Sequence, residues 1–257
     1  MANDLLLVGD GPEILDLAAV LKNAGRSPVL VTWGAPREEA FPEDPLLKET
    51  RRAARTAGTV VEFVEGSLAG KREVVEALGM GHAPLILSSA LRAGPTEVGS
   101  WLMDAAPVVG LSGLPPFSAR KRVELQRGLD TSHDAWTAAG ELMRGCGFEV
   151  EEIGDHPGGV QLRLVCGIIN EAVSLLGEQG AQAGDIDTAM KLGVNYPEGP
   201  LAWADRIGLD RVLAVLDGLE REYREDRYRS VPLLRKMVLA GRLGQKRGRG
   251  FFEYAEE

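Results

Sequence analysis

Through the first 156 residues, apolar runs of strand length alternate with segments whose apolar positions recur every three to four residues. "DLLLVGDG" (4–11) leads into the amphipathic "PEILDLAAVLKNAG" (12–25) and then "SPVLVTW" (27–33). Later strand-like runs are "TVVEFVE" (59–65), "APLILSSA" (83–90), "APVVGLS" (106–112), "KRVELQRG" (121–128) and "EVEEIGD" (149–155). Helix-period stretches such as "KREVVEALG" (71–79) and "DAWTAAGELMRGCG" (134–147) lie between several of them. Short apolar strands separated by helices predict an α/β domain with a largely parallel sheet covered on both faces. Residues 33–56 break the rhythm: "GAPREEAFPEDPLLKETRRAART" (34–56) is Pro-rich and charged, and reads as an exposed excursion ending in a short helix.

The pattern changes at "HPGG" (156–159), after which strand signals stop. "VQLRLVCGIINEAVSLLGEQG" (160–180) carries apolar residues at helical spacing, with Gly180 read as its C-cap. "AGDIDTAMKLG", "WADRIGLDRVLAVLDGLEREYRE" and "VPLLRKMVLAGRLG" follow, before "GQKRGRGFFEY" (244–254). The division is therefore 1–156, an α/β domain, and 157–257, an all-helical domain.

Composition narrows the function classes. The chain has 257 residues, 44% hydrophobic and 26% charged, enough for a real core without staples. A formal net charge of -9 argues against nucleic acid or an anionic membrane surface as the main partner, since phosphates demand a Lys/Arg surplus. Cys146 and Cys166 sit among small or apolar residues and read as reduced thiols, which suggests a cytoplasmic setting. "MANDLLLVGDG" has no basic n-region and reads as a strand, not a signal peptide. No apolar stretch is long enough to span a bilayer. No His/Cys/Asp spacing supports a metal site.

"LLLVGDGPEILDLA" places Gly9-x-Gly11 between a buried strand and a helix, as in a dinucleotide-binding turn. There the first glycine allows the tight turn, and the second lets the backbone approach a pyrophosphate at the helix N-terminus. The motif is incomplete. Ile14 stands where a third glycine would permit close packing, and Pro12 removes an amide donor. Asp10 and Glu13 add negative charge where a pyrophosphate would compete for the same positive helix end. The second strand closes on Thr32, with no carboxylate for a ribose. A turn that has ceased to bind tightly and a weakened dinucleotide site both remain open.

The second half carries a more specific signal. "INEAVSLLGEQGAQAGDIDTAMKLGVNYPEGPLAWADRIGLDRVL" followed by "PLLRKMVLAGRLGQKRGRGFFEY" closely resembles the 3-hydroxyacyl-CoA dehydrogenase family, particularly its short 3-hydroxybutyryl-CoA members. The likeness runs from about residue 57 to the end. It implies an abbreviated Rossmann-like domain, residues 33–56 being too short for the family's helical hairpin and extra strand, followed by a helical domain that usually dimerises. The implied chemistry, in fatty acid metabolism, is NAD-dependent oxidation of a 3-hydroxyacyl-CoA to the 3-oxo thioester. A histidine takes the hydroxyl proton, a glutamate orients it, and a serine and an asparagine polarise the substrate oxygen.

Carried across residue by residue, the resemblance puts Ser112 at the histidine position and Glu124 at the glutamate, in "GLSGLPP…VE". The family's "SNTSSL" falls on "SSALRA" (88–93), so Leu91 holds the serine position. "PGFVVNR" falls on "PGGVQLR" (157–163), so Leu162 holds the asparagine position. A serine hydroxyl has no proton affinity near neutral pH and cannot replace an imidazole unaided. Loss of a positioned general base typically costs a factor of about 10²–10⁴.

Glu124, alone or through a water held by Ser112, is the remaining candidate base; equally it is an ordinary strand carboxylate. Glu62 and Lys71 match family positions beside the cofactor, or form a solvated charged pair. His156, at the hinge, either supplies a replacement imidazole or satisfies local backbone groups. Phe251, Phe252 and Tyr254 read as packing inward to finish the helical domain. Two functions follow: a catalytically degenerate pseudoenzyme acting as a binding or partner subunit, or a divergent oxidoreductase using NAD on an acyl-CoA or smaller hydroxy acid. The partners expected are an acyl-CoA or other small molecule, and either a second copy joined through residues 157–257 or a heteromeric subunit.

Overall fold

Seven strands form a single sheet in the order β2-β1-β3-β4-β5-β6-β7. They are β1 (Leu5–Asp10), β2 (Val29–Trp33), β3 (Thr59–Phe63), β4 (Ile86–Ser89), β5 (Val108–Ser112), β6 (Arg122–Arg127) and β7 (Glu149–Ile153). This computed structural model describes residues 5–33, 44–102 and 106–254. By internal contacts the chain divides into Met1–Val160 and Gln161–Glu257.

In the first unit β1 to β5 pair in parallel through intervening helices, as short apolar strands and crossover connections require. The helices are α1 (Pro12–Asn23), α2 (Pro45–Ala54), α3 (Leu68–Met80) and α4 (Pro95–Ser100), with α5 (His133–Gly145) between β6 and β7. β6 turns back antiparallel on β5 after the short link 113–121, and β7 runs parallel to β6. Leu5 and Leu7 of β1 join one buried cluster with Ile14, Leu17 and Val109; Leu6 and Val8 join another with Val60, Val74 and Leu78. One strand thus feeds two cores, the period-2 signature of a sheet covered on both faces. The switch in strand order falls between β1 and β3, where open α/β sheets leave a crevice at the carboxyl ends of their strands. The short helix expected at the end of the charged excursion is α2, started by the Asp44 carboxylate accepting from Leu46 N at 2.8 Å. Residues 34–43 of that excursion lie outside the described residues.

The second unit contains α6 (Gln161–Gly177), α7 (Ala183–Val194), α8 (Pro200–Ile207), α9 (Leu209–Tyr223) and α10 (Pro232–Leu239). Cys166, Ile169, Val173, Leu201, Val212, Leu216 and Leu234 are fully buried. α6 ends three residues before Gly180. Gln179 takes the left-handed conformation (φ 59°), and Gly180 N donates to Leu175 O at 3.1 Å. Gly180 therefore sits one residue beyond the left-handed position of a Schellman end. Phe251, Phe252 and Tyr254 are half-buried. Among the described residues no helix is long and apolar enough to cross a membrane.

Residues 157–160, grouped with the helices in the sequence, belong to the first unit. Gly158 N donates to Ala90 O at 2.7 Å, and Val160 N to Glu124 Oε2 at 3.1 Å. These bonds hold the segment on the sheet until α6 begins.

Candidate active site

Gly9 lies inside β1, not at a turn. It pairs with Phe63, and a Cβ there would stand 2.7 Å from the Phe63 carbonyl oxygen. Its bareness serves the approach of two strands. Gly11 makes the turn, at φ 82°, and precedes Pro12 at the head of α1. The Asp10 side chain crosses the switch point: its carboxylate oxygens accept from Glu65 N at 2.7 Å and Gly66 N at 3.2 Å. Asp10 is buried, and Glu13 folds back so that Oε2 would lie 3.1 Å from a Cβ on Gly11. Asp10 thus takes up two backbone amides of the link after β3, and Glu13 sets a carboxylate beside the head of α1, an end that favours negative charge. Ile14, at the third position of the motif, is fully buried. Thr32 and Trp33 end β2, and Trp33 Nε1 donates to Asp44 Oδ2 at 3.4 Å.

Glu62 and Lys71 form a fully buried pair, Nζ to Oε2 at 2.5 Å. The other contacts to this carboxylate come from Ser88 Oγ at 2.6 Å and Val64 N at 2.5 Å. β3 supplies the acid, α3 the ammonium and β4 the hydroxyl. Burial of both charges requires this degree of satisfaction. At the adjoining strand ends Ser89 Oγ donates to Glu65 Oε1 at 2.9 Å, and Arg92 Nε to Glu65 O at 3.2 Å.

Ser112 and Glu124 face each other across the β5–β6 ladder. Ser112 Oγ donates to Glu124 Oε2 at 3.0 Å and accepts from Gln126 Nε2 at 3.2 Å. Gln126 Oε1 in turn accepts from His156 N at 3.0 Å. All three side chains are buried, Glu124 only 2% exposed. Gly159, at φ 63°, lies directly over them; a Cβ on it would collide with Glu124 Oε2 and Ser112 Oγ.

Three other expected positions are occupied as follows. His156 contributes its backbone N–H, while its imidazole turns toward Gly154, with Nε2 3.2 Å from where a Cβ would be. Leu91 is buried two residues beyond β4, and Leu162 is buried within α6 of the second unit. Gln126 escaped the sequence reading although its spacing from Glu124 puts both on one strand face. Gly159 and the seat of Asp10 had no local signal. Among the described residues no group of three His, Cys, Asp or Glu is placed to hold a metal.

Residues 158–254 match the model of the 3-hydroxyacyl-CoA dehydrogenase C-terminal domain. A probable 3-hydroxybutyryl-CoA dehydrogenase of Bacillus subtilis is 38% identical over 213 residues, covering 82% of this chain and 74% of its own. The chain belongs to the 3-hydroxyacyl-CoA dehydrogenase family. A 3-hydroxybutyryl-CoA dehydrogenase of Clostridioides difficile is 38% identical over 159 residues, which cover 62% of this chain and 57% of that relative. Among solved structures, FadB2 of M. tuberculosis superposes with a TM-score of 0.78 at 25% identity, covering 99% of both chains. The (S)-3-hydroxybutyryl-CoA dehydrogenase PaaH1 of Ralstonia eutropha gives 0.74 at 28% identity, covering 98% of this chain and 99% of that one.

Proposed function

We propose that this 3-hydroxyacyl-CoA dehydrogenase family member has given up the family's oxidation–reduction and serves as a ligand-binding or partner subunit. The observation that carries the reading is Ser112, an alcohol at the base position, spending its proton on Glu124. An alcohol so placed has no means of accepting a substrate proton near neutral pH, and Glu124 is already committed to Ser112 and Val160 N. Leu91 and Leu162, at positions where the family has polarising side chains, offer nothing to a developing alkoxide.

The cofactor half supports the same reading. NAD, when bound in the family, accepts the hydride; here Gly9, Gly11, Glu62 and Lys71 are the residues that would surround it. Glu13 sets a carboxylate beside Gly11 at the helix head that a pyrophosphate needs, and the buried Asp10 carboxylate, held by Glu65 N and Gly66 N, adds a second negative charge to the same turn. These residues fit the cofactor poorly. Exposed apolar residues on the helical unit, Leu164 and Leu175 of α6 with Leu192 and Val194 of α7, favour assembly through this unit, with a second copy as the partner. Both cysteines are free thiols, which suits a reducing compartment such as the cytoplasm.

The test is NADH oxidation with acetoacetyl-CoA, paired with fluorescence titration of NADH. Turnover near background and no saturable NADH binding are expected. Turnover within tenfold of the B. subtilis relative, assayed alongside, would instead establish a divergent oxidoreductase.

A further inference from the structure

We infer that Ser112, Glu124, Gln126 and Gly159 form a structural latch, in which the backbone of residues 158–160 has been drawn into the space an imidazole at position 112 would fill. The inference rests on the reading of Ser112 as the base position. Two sequence departures act together. Ser112 vacates volume on β5, and Gly159, where the family motif "PGFVVNR" has phenylalanine, lets the chain sink into it. A Cβ there would stand 2.1 Å from Glu124 Oε2 and 2.4 Å from Ser112 Oγ, so both side chains would have to move, and the backbone is left-handed at φ 63°, which favours glycine.

The latch is bonded along its length. Asp155 Oδ2 accepts from Thr96 N at 2.9 Å, Gln126 Oε1 from His156 N, Ala90 O from Gly158 N, and Glu124 Oε2 from Val160 N. Segment 155–160 is thereby sewn to α4, β4 and β6. The acid that oriented a catalytic ring in the family's reaction now anchors a loop, with Gly159 as the positioning residue that seals it. Gly110, on the neighbouring strand, leaves room for Gln126: a Cβ there would lie 2.8 Å from that of Gln126.

The test is native-state hydrogen exchange of the full chain, reading the amides of Gly158 and Val160 in the unmodified protein, Ser112→Ala and Glu124→Gln. Strong protection is expected in the unmodified protein, falling by about tenfold or more in Glu124→Gln, whose neutral acceptor is weaker. Amides of β1 should keep theirs. Unchanged protection in both variants overturns the latch. As a second measurement, Ser112→His should melt below the unmodified protein, since its ring must displace residues 158–160; melting at or above it overturns the latch. Turnover of acetoacetyl-CoA by the unmodified chain would defeat the proposed loss of catalysis, while exchange still judges the latch, so the two fail separately.

Discussion

Gly9 lies opposite Phe63 on the β1–β3 ladder, so a methyl group there meets backbone that has no room to move. Gly9→Ala should lower stability by about 1–3 kcal/mol, read by urea denaturation, even though the motif suggests a role in cofactor binding. The thiols give a second residue-scale expectation. Burial pushes the Cys166 thiol up to about 12, against a smaller opposing pull from Arg211, and burial also raises Cys146. The thiolate is the reactive form, so iodoacetamide at pH 8 should leave Cys166 unmodified until the chain unfolds. Mass spectrometry of native and denatured samples reads the difference.

At the scale of elements, the motifs that carry the family resemblance are fastenings. Asp187, of "DIDTAMKLG", accepts from Leu201 N and Ala202 N at 2.8 and 2.9 Å and so caps α8. Asp205, of "WADRIGLD", accepts from Phe251 N and Phe252 N at 2.9 Å each and from the Tyr254 hydroxyl at 3.0 Å, which ties segment 250–254 to α8. Asp205→Ala strands these donors and should cost about 3 kcal/mol. Burial holds the Asp205 carboxyl above its ordinary value, although its three hydrogen bonds pull it down. A raised folded value means the native state holds the proton longer. This contribution is therefore fully present below the unfolded aspartate value and is lost as pH rises through the folded one. The stability gap between unmodified protein and Asp205→Ala should accordingly be wider at pH 4 than at pH 7, measured by denaturant titration.

At the scale of the whole molecule, the preserved parts and the altered parts serve different ends. In the proposed reading the caps, anchors and helical core carry assembly, whereas Ser112, Leu91 and Leu162 stand where the resemblance implies polar side chains. A subunit that binds or assembles needs the first set and not the second. Leu164, Leu192 and Leu239 are 63%, 82% and 87% exposed, apolar surface that a second copy would cover in the proposed assembly. Light scattering after gel filtration should give about twice the 27.6 kDa chain mass, and Leu164→Glu with Leu192→Glu should shift it toward the monomer.

Hydrophobic periodicity by itself determined the strands, most helices and the change of character after residue 156, because burial of one face or two is written in the spacing of apolar residues. The residue types at 91, 112 and 162 were equally plain, and residue type alone limits what proton chemistry a position can do. Only the tertiary structure decided what filled the gap. Gly159 and Gln126 reach Ser112 from segments 47 and 14 positions away in the chain, and Asp10 finds its donors at Glu65 and Gly66. Such contacts depend on where strands end beside one another. No local pattern encodes that placement: Gly9 fits a turn motif in the sequence, and only the β1–β3 pairing sets it against Phe63.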